Sequence, residues 1–291
     1  MNFWSEYVLA RSIEEALHAL AEAPGPACPV AGGTDLLLEI QQGHRPPVHT
    51  LVDITQIPEL NCLELQEDLL RIGAAVPVAE LTESSLIHEH ALALAEACGL
   101  IGGPQVRNTA TLGGNVAHAL PAADGMIALV ALDAQVEIAS AQGIRRQPVL
   151  SLFRGPGKSA LALEREFIVA FLVPGRRSGQ ASAFERVMRP QGVALPVLNL
   201  AAWLERAGDR IQAIRIAIGP AGPVPQRATA VEDCLRGARL DDQTFALALA
   251  QLRATMRFRT SPQRATAAYR YDLGEVLLGS VLKRVWNLAA F

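Results

Sequence analysis

Two stretches of this chain set adjacent glycines beside hydrogen-bonding side chains: Val30-Ala31-Gly32-Gly33-Thr34-Asp35, and Thr111-Leu112-Gly113-Gly114-Asn115, with Asp124 a short way beyond. Adjacent glycines let a backbone turn tightly and come against a ligand with no Cβ in between. The hydroxyl, amide and carboxylate groups alongside can hydrogen-bond whatever is held there. This chemistry suits a diphosphate. Neither stretch reads G-x-G-x-x-G or G-x-x-x-x-G-K-[ST], which excludes the Rossmann fingerprint and the P-loop.

The elements that must position these residues follow from local signals. Ser12-Ile13-Glu14-Glu15 is a capping box that opens a helix, and Pro24-Gly25-Pro26 ends it. Residues 28–31 then read as a short strand, the glycine pair as a turn, and 35–42 as an amphipathic helix closed by Gly43. Strand, glycine turn and helix in that order aim the turn N–H groups and the helix N-terminus at one point, where an anion gains from both. Residues 51–54 and 69–74 read as strands and 78–98 as one or two helices, so a small α/β lobe ends near residue 55.

The second glycine pair lies in a stretch, 102–125, that reads as a long irregular loop, and such a loop in a compact domain points to function. It gathers Gln105, Arg107, Asn108, Thr109, Thr111, Asn115, His118 and Asp124 between apolar flanks. Beyond it, 126–132 reads as a helix, 134–139 and 167–173 as strands, and 175–182 as a linker. Three strands at 183–187, 197–204 and 211–218 precede helices around 231–235, 244–256 and 273–288, an α+β arrangement.

Bulk properties narrow the function. A chain of 291 residues suits two or three domains. With 26 Lys plus Arg against 29 Asp plus Glu, the net charge of -3 offers no electrostatic case for nucleic acid or an anionic membrane. No apolar run reaches the roughly 18 to 20 residues of a membrane span and the start lacks a signal-peptide pattern, so the expected location is cytoplasmic. Cys28, Cys62, Cys98 and Cys234 are far apart with no C-x-x-C, which predicts reduced, buried thiols and no metal site. His88 and His90 read as solvated helix surface, and Gly155-Pro156-Gly157-Lys158 as a turn lacking P-loop spacing.

Taken together, the A-G-G-T-D turn at Ala31 to Asp35, the G-x-Q-x-R-N-x-A-T-x-G-G-N run at Gly103 to Asn115 leading to Asp124, and the strand from Glu166 to Pro174 resemble the flavin-binding medium subunits of molybdenum hydroxylases, the xanthine dehydrogenase and carbon monoxide dehydrogenase types. The resemblance covers essentially the whole chain. It implies an FAD-binding domain of the vanillyl-alcohol-oxidase/PCMH type over residues 1–176, made of two α/β subdomains (about 1–55 and 56–176). A carbon monoxide dehydrogenase flavoprotein-like C-terminal α+β domain follows over 183–291. It also implies noncovalent FAD and no iron–sulfur cluster in this chain. The molybdenum cofactor and two [2Fe-2S] clusters belong to a large and a small partner subunit, in a dimer of heterotrimers. Electrons would leave the complex here.

By the same resemblance, Pro29, Val30, Ala31, Gly32, Gly33, Thr34, Asp35 and Leu36 would hold the pyrophosphate. Thr111, Gly114 and Asn115 would meet phosphate and ribose, Asp124 a sugar or the adenine, and Ile101 and Ile168 would line the rings. Arg186 stands where the family often has Lys near the isoalloxazine, with Arg189 as the alternative. No side chain takes a catalytic role. Plainer roles remain open for several of these residues. Gly32-Gly33 could be only a tight turn, Thr111 and Asn115 could satisfy buried backbone, Asp124 could cap the next helix, and Arg107 could form a salt bridge. A stand-alone FAD-dependent oxidoreductase on this fold, or a scaffold without flavin, are the competing functions.

Overall fold

The computed structural model describes residues 3–189, 195–262 and 264–290. The first lobe runs β1 (Glu6–Leu9), α1 (Ile13–Ala21), β2 (Ala27–Val30), α2 (Leu36–Gln41) and β3 (Thr50–Asp53). Its sheet has the order β1-β3-β2, all parallel. Ser12 caps α1 by accepting the Glu15 N–H at 3.1 Å, and Glu15 reaches back to the Arg11 N–H at 2.8 Å. The capping box thus closes on the residue before the cap.

The second lobe continues with β4 (Leu63–Gln66), β5 (Leu69–Gly73), α3 (Val78–Glu83), α4 (Ser85–His90), α5 (Leu92–Gly99), α6 (Pro104–Arg107), α7 (Leu112–Ala117) and α8 (Asp124–Ala131). Then come β6 (Gln135–Ser140), β7 (Gly143–Pro148), β8 (Phe153–Gly155), β9 (Lys158–Ser159) and β10 (Glu166–Pro174). A five-stranded sheet, β4-β5-β10-β6-β7, has β10 at its centre, and every pairing is antiparallel. The unbroken apolar run of β10 suits a strand buried on both faces.

Several sequence readings are corrected here. Residues 78–98 form three helices rather than one or two, because Ser84 caps a new helix and Ala91 breaks it again. The stretch 102–125 contains α6, α7 and the start of α8, so Gly113 and Gly114 lie in the first turn of a helix, not in a loop. The linker is shorter than read, since the next strand begins at Gln180. The Gly155-Pro156-Gly157-Lys158 turn does join β8 to β9.

The chain ends with β11 (Gln180–Val187), β12 (Leu198–Ala207), β13 (Arg210–Gly219), β14 (Gln226–Arg227), α9 (Thr229–Leu235), α10 (Asp242–Thr255) and α11 (Ala267–Leu288). These four strands form an antiparallel meander in sequence order. The period-two alternation of a strand divides its faces between two cores. Phe184, Ala201 and Ala217 join the core of the first two lobes, while Ala183, Leu200, Ala202 and Ile216 pack with α9 to α11. Beyond Asp124, helix α8 is apolar on every side because it is buried all round, with β12 and β13 among its neighbours.

Candidate functional site

A cavity of about 560 Å³ lies along the seam between the first two lobes and reaches the third. That volume falls in the range typical of small-molecule sites. The residues that the family resemblance assigns to the cofactor line it, with the exception of the alternative Arg189: Pro29, Val30, Ala31, Gly32, Gly33, Thr34, Asp35 and Leu36 from one side, then Ile101, Thr111, Gly114, Asn115, Asp124, Ile168 and Arg186. Arg189 is not on the wall; its Nη2 donates to the Arg264 carbonyl at 3.5 Å.

The first glycine turn is shaped by two different needs. A Cβ on Gly32 would lie 2.0 Å from the Thr109 carbonyl oxygen, so the two lobes touch there through bare backbone. Gly33 adopts φ +65°, a region that L side chains rarely enter. Among the described residues, no acceptor takes the N–H of Gly32, Gly33, Thr34, Asp35 or Leu36. These donors and the start of α2 face the cavity together, an arrangement that suits an anion.

The second glycine pair is built otherwise. Thr111 caps α7 by accepting the Gly114 N–H at 3.1 Å, so part of its hydrogen-bonding capacity serves the fold. A Cβ on Gly113 would strike the Ala74 carbonyl at 2.6 Å, whereas one on Gly114 would meet only Thr111 Oγ1, at 3.3 Å. Gly114 is thus bare toward the cavity, which it lines. Asn115 Oδ1 is buried there without a hydrogen-bond donor. A buried amide oxygen left unpaired costs about 1 to 3 kcal/mol, so it marks a place where a ligand hydroxyl or N–H gains.

Asp124 occupies the first position of α8 rather than its cap, which is Ala123. Its Oδ2 accepts from Arg186 Nη1 and its Oδ1 from Asn199 Nδ2, the latter at 2.7 Å. Both donors come from the C-terminal sheet. Arg186 and Asn199 are cross-strand partners in β11 and β12, so the pleat turns them toward the same face. Burial pushes the Asp124 carboxyl up to about 6 although Arg186 and Asn199 pull the other way. Arg186 Nε is left buried with no acceptor.

Arg107 makes no salt bridge among the described residues. Its Nη1 donates to the carbonyls of Ile101 at 3.2 Å and Gly102 at 2.8 Å, bracing the turn that presents Ile101 to the cavity. His88 and His90 are held by protein groups: His88 Nε2 lies 2.8 Å from the Thr82 carbonyl, and His90 Nδ1 accepts the Arg176 N–H at 3.1 Å. All four cysteines are free, but only Cys28 and Cys98 are buried, which corrects the expectation for Cys62 and Cys234. No group of His, Cys, Asp and Glu among the described residues could hold a metal. No helix among them is long and apolar enough to cross a membrane.

Sequence reasoning overlooked Asn199, Glu39, Arg45 and a role for His118. A lone Asn in the otherwise apolar Leu198-Asn199-Leu200-Ala201-Ala202 was a signal for the first. Asp35 and Glu39, four apart on one face of α2, were a signal for the second.

Comparisons with known proteins agree with this architecture. The model of the FAD binding domain in molybdopterin dehydrogenase matches residues 2–176, and that of the CO dehydrogenase flavoprotein C-terminal domain matches 182–285. A xanthine dehydrogenase FAD-binding subunit of Escherichia coli O157:H7 is 32% identical over 282 residues, covering 96% of this chain and 95% of that one. The carbon monoxide dehydrogenase medium chain of Hydrogenophaga pseudoflava is 32% identical over 222 residues, 76% of each chain. Among solved structures, a carbon monoxide dehydrogenase from Hydrogenophaga pseudoflava superposes with a TM-score of 0.90 at 28% identity, over 97% of both chains.

Proposed function

This chain belongs to the family of FAD-binding domains of molybdopterin dehydrogenases, and from that premise we propose that it is the electron outlet of a molybdenum hydroxylase. It is an FAD-binding subunit of that enzyme family. The proposed partners are a molybdopterin-binding large subunit that oxidises the substrate and a small subunit whose two [2Fe-2S] clusters deliver the electrons, assembled as a dimer of heterotrimers. FAD, when bound, supplies the exchange between one-electron carriers and an external acceptor.

The residues along the cavity fit that cofactor. The open N–H groups from Gly32 to Leu36 and the start of α2 would take the diphosphate. Asn115 Oδ1 would accept from a hydroxyl or N–H of the cofactor, and the unpaired Arg186 Nε would donate to an acceptor on it. Ile101 and Ile168 would give apolar surface to its rings. In this reading the flavin domain spans 1–176, in two lobes divided near 55, and 183–291 closes the cavity from the other side. The observation that carries it is the pairing of two unsatisfied buried atoms, Asn115 Oδ1 and Arg186 Nε, with an open row of backbone donors on one cavity wall.

The test is a visible spectrum of the purified chain, then denaturation and chromatography of the released chromophore. FAD near one per chain is expected. A colourless, folded chain that refuses added FAD would overturn the reading. Purification from its native cells should further bring down two subunits carrying molybdenum and iron; a chain recovered alone would refute the electron-outlet role.

A further inference from the structure

Helix α2 begins with an electrostatic conflict. Asp35, its N-cap residue, and Glu39, in its first turn, both line the cavity beside the open backbone donors of the glycine turn. Asp35 makes no capping hydrogen bond with its side chain. A diphosphate bound by those donors would sit next to two carboxylates, and like charges that close repel.

His118 answers both carboxylates. It is the C-cap residue of α7, on the opposite lobe. Its Nε2 lies 2.8 Å from Glu39 Oε1 and its Nδ1 3.5 Å from Asp35 Oδ2, with the imidazole largely buried. Nε2 is at hydrogen-bonding distance from Glu39 and Nδ1 at ion-pair distance from Asp35, so a protonated ring would pair with both carboxylates at once. The other cations on the cavity wall have separate partners: Arg45 donates to Cys28 Sγ at 3.4 Å, and Arg186 to Asp124. Among the described residues no other cation pairs with Asp35 or Glu39.

The connection also spans the seam. Gly32 already touches the Thr109 carbonyl by bare backbone, and the His118 bridge lies further along the same junction of lobes. We propose that His118 is a positioning residue for the cofactor: it offsets the charge of Asp35 and Glu39 so that a diphosphate can occupy the open backbone donors of the Gly32-Gly33 turn, and it clasps the two lobes over the bound molecule. The inference rests on the reading of the cavity as an FAD site.

The experiment uses the full chain purified with its flavin, and follows release by the recovery of free-flavin fluorescence after dilution. H118Q keeps a hydrogen-bonding side chain but no charge. It should release FAD about fivefold faster or more, the size of a partly buried ion-pair effect. Because the cause is repulsion between exposed and half-buried charges, added salt should narrow the gap. H118K, which keeps the cation, should stay within about threefold of wild type, and D35N/E39Q in the H118Q background should restore slow release.

Release from H118Q at the wild-type rate overturns the proposal. So does fast release that D35N/E39Q fails to correct, because a role in packing alone is blind to removal of the carboxylates. A wild-type chain that retains no flavin would fail the cavity reading itself. A wild type and H118Q that both retain it equally would fail only this inference.

Discussion

Asn199 Nδ2 donates to Asp124 Oδ1 at 2.7 Å and also to the Ala122 carbonyl at 3.1 Å, so one amide of the C-terminal sheet fixes the start of α8. The next position in the same cross-strand row is Gly219, where a Cβ would lie 2.4 Å from the Pro121 carbonyl. Arg186, Asn199 and Gly219 therefore form a floor on which the 121–124 segment rests. The third lobe does more than cover the cavity: it sets the position of a wall residue contributed by the second.

Asp124 gives this node a pH signature. Its folded carboxyl is pushed up to about 6 from an ordinary 3.8 by burial. Between those values the folded chain holds a proton that the unfolded chain has lost, so stability falls as pH rises and levels off above about 6. In the flavin-free chain, the unfolding free energy of wild type minus that of D124N should drop by about 1.4 kcal/mol per pH unit across this window. Urea titrations at several pH values check it; a difference that does not change with pH would show Asp124 ionised throughout.

The glycines separate fold from ligand. Gly32→Ala drives a Cβ into the Thr109 carbonyl and should cost more than about 2 kcal/mol in stability, with loss of flavin. Gly114→Ala meets only Thr111 Oγ1, at 3.3 Å, and removes a glycine from a helix, a change worth up to about 1 kcal/mol in favour of the fold. The G114A chain should melt at or above the wild-type temperature yet carry less FAD. Equal flavin content in G114A and wild type would remove Gly114 from the cradle.

Glu96 ties α5 to β11. Its Oε2 accepts the Phe184 N–H at 2.8 Å and its Oε1 meets Arg284. Burial holds its carboxyl above the ordinary value despite both contacts. Glu96→Ala leaves the Phe184 N–H without an acceptor, which should cost about 1 to 3 kcal/mol in chemical denaturation. Glu96→Gln retains an acceptor and should cost less; equal costs would place the loss in packing instead.

The thiols should divide by burial. Burial pushes Cys98 and Cys28 upward, away from the thiolate that reacts, and both are shielded from solvent. A thiol-reactive disulfide reagent at mild pH should modify Cys62 and Cys234 first, with Cys28 and Cys98 following only on unfolding. Cys28 lines the cavity, so rapid loss of Cys28 in the native chain would show that the cavity opens more readily than its bridged seam allows.

The elements that were legible in the sequence are those whose cause is local. The Ser12 cap, the β2 to α2 turn with its positive-φ Gly33, and the apolar run of β10 depend on neighbours within a few residues. The edge strands β1 and β7 escaped notice because their side chains are partly or wholly exposed and show no apolar alternation, while pairing with β3 and β6 holds them extended. The helical turn of Gly113 and Gly114 was hidden for a related reason. Two glycines argue against a helix, and only the Thr111 cap and packing against Ala74 override that preference.

For the candidate site, the residue types and their order along the chain were enough to mark both glycine pairs and Asp124, while Arg186, with Arg189 as its alternative, came from the family resemblance. Their partners were not readable, because a partner depends on which strands pair and in which register. Arg186 and Asn199 meet at Asp124 only because β11 and β12 align them as neighbours on one face. His118 meets Asp35 and Glu39 only because two lobes close on each other. By itself the sequence determined which chemical groups were available and those short elements, such as the β2 to α2 turn, whose cause lies in backbone preference and nearby side chains. The tertiary structure alone decided which charges neutralise each other, which polar atoms stay unpaired for a ligand, and which glycines serve the fold, since each of these rests on contacts between residues far apart in the chain.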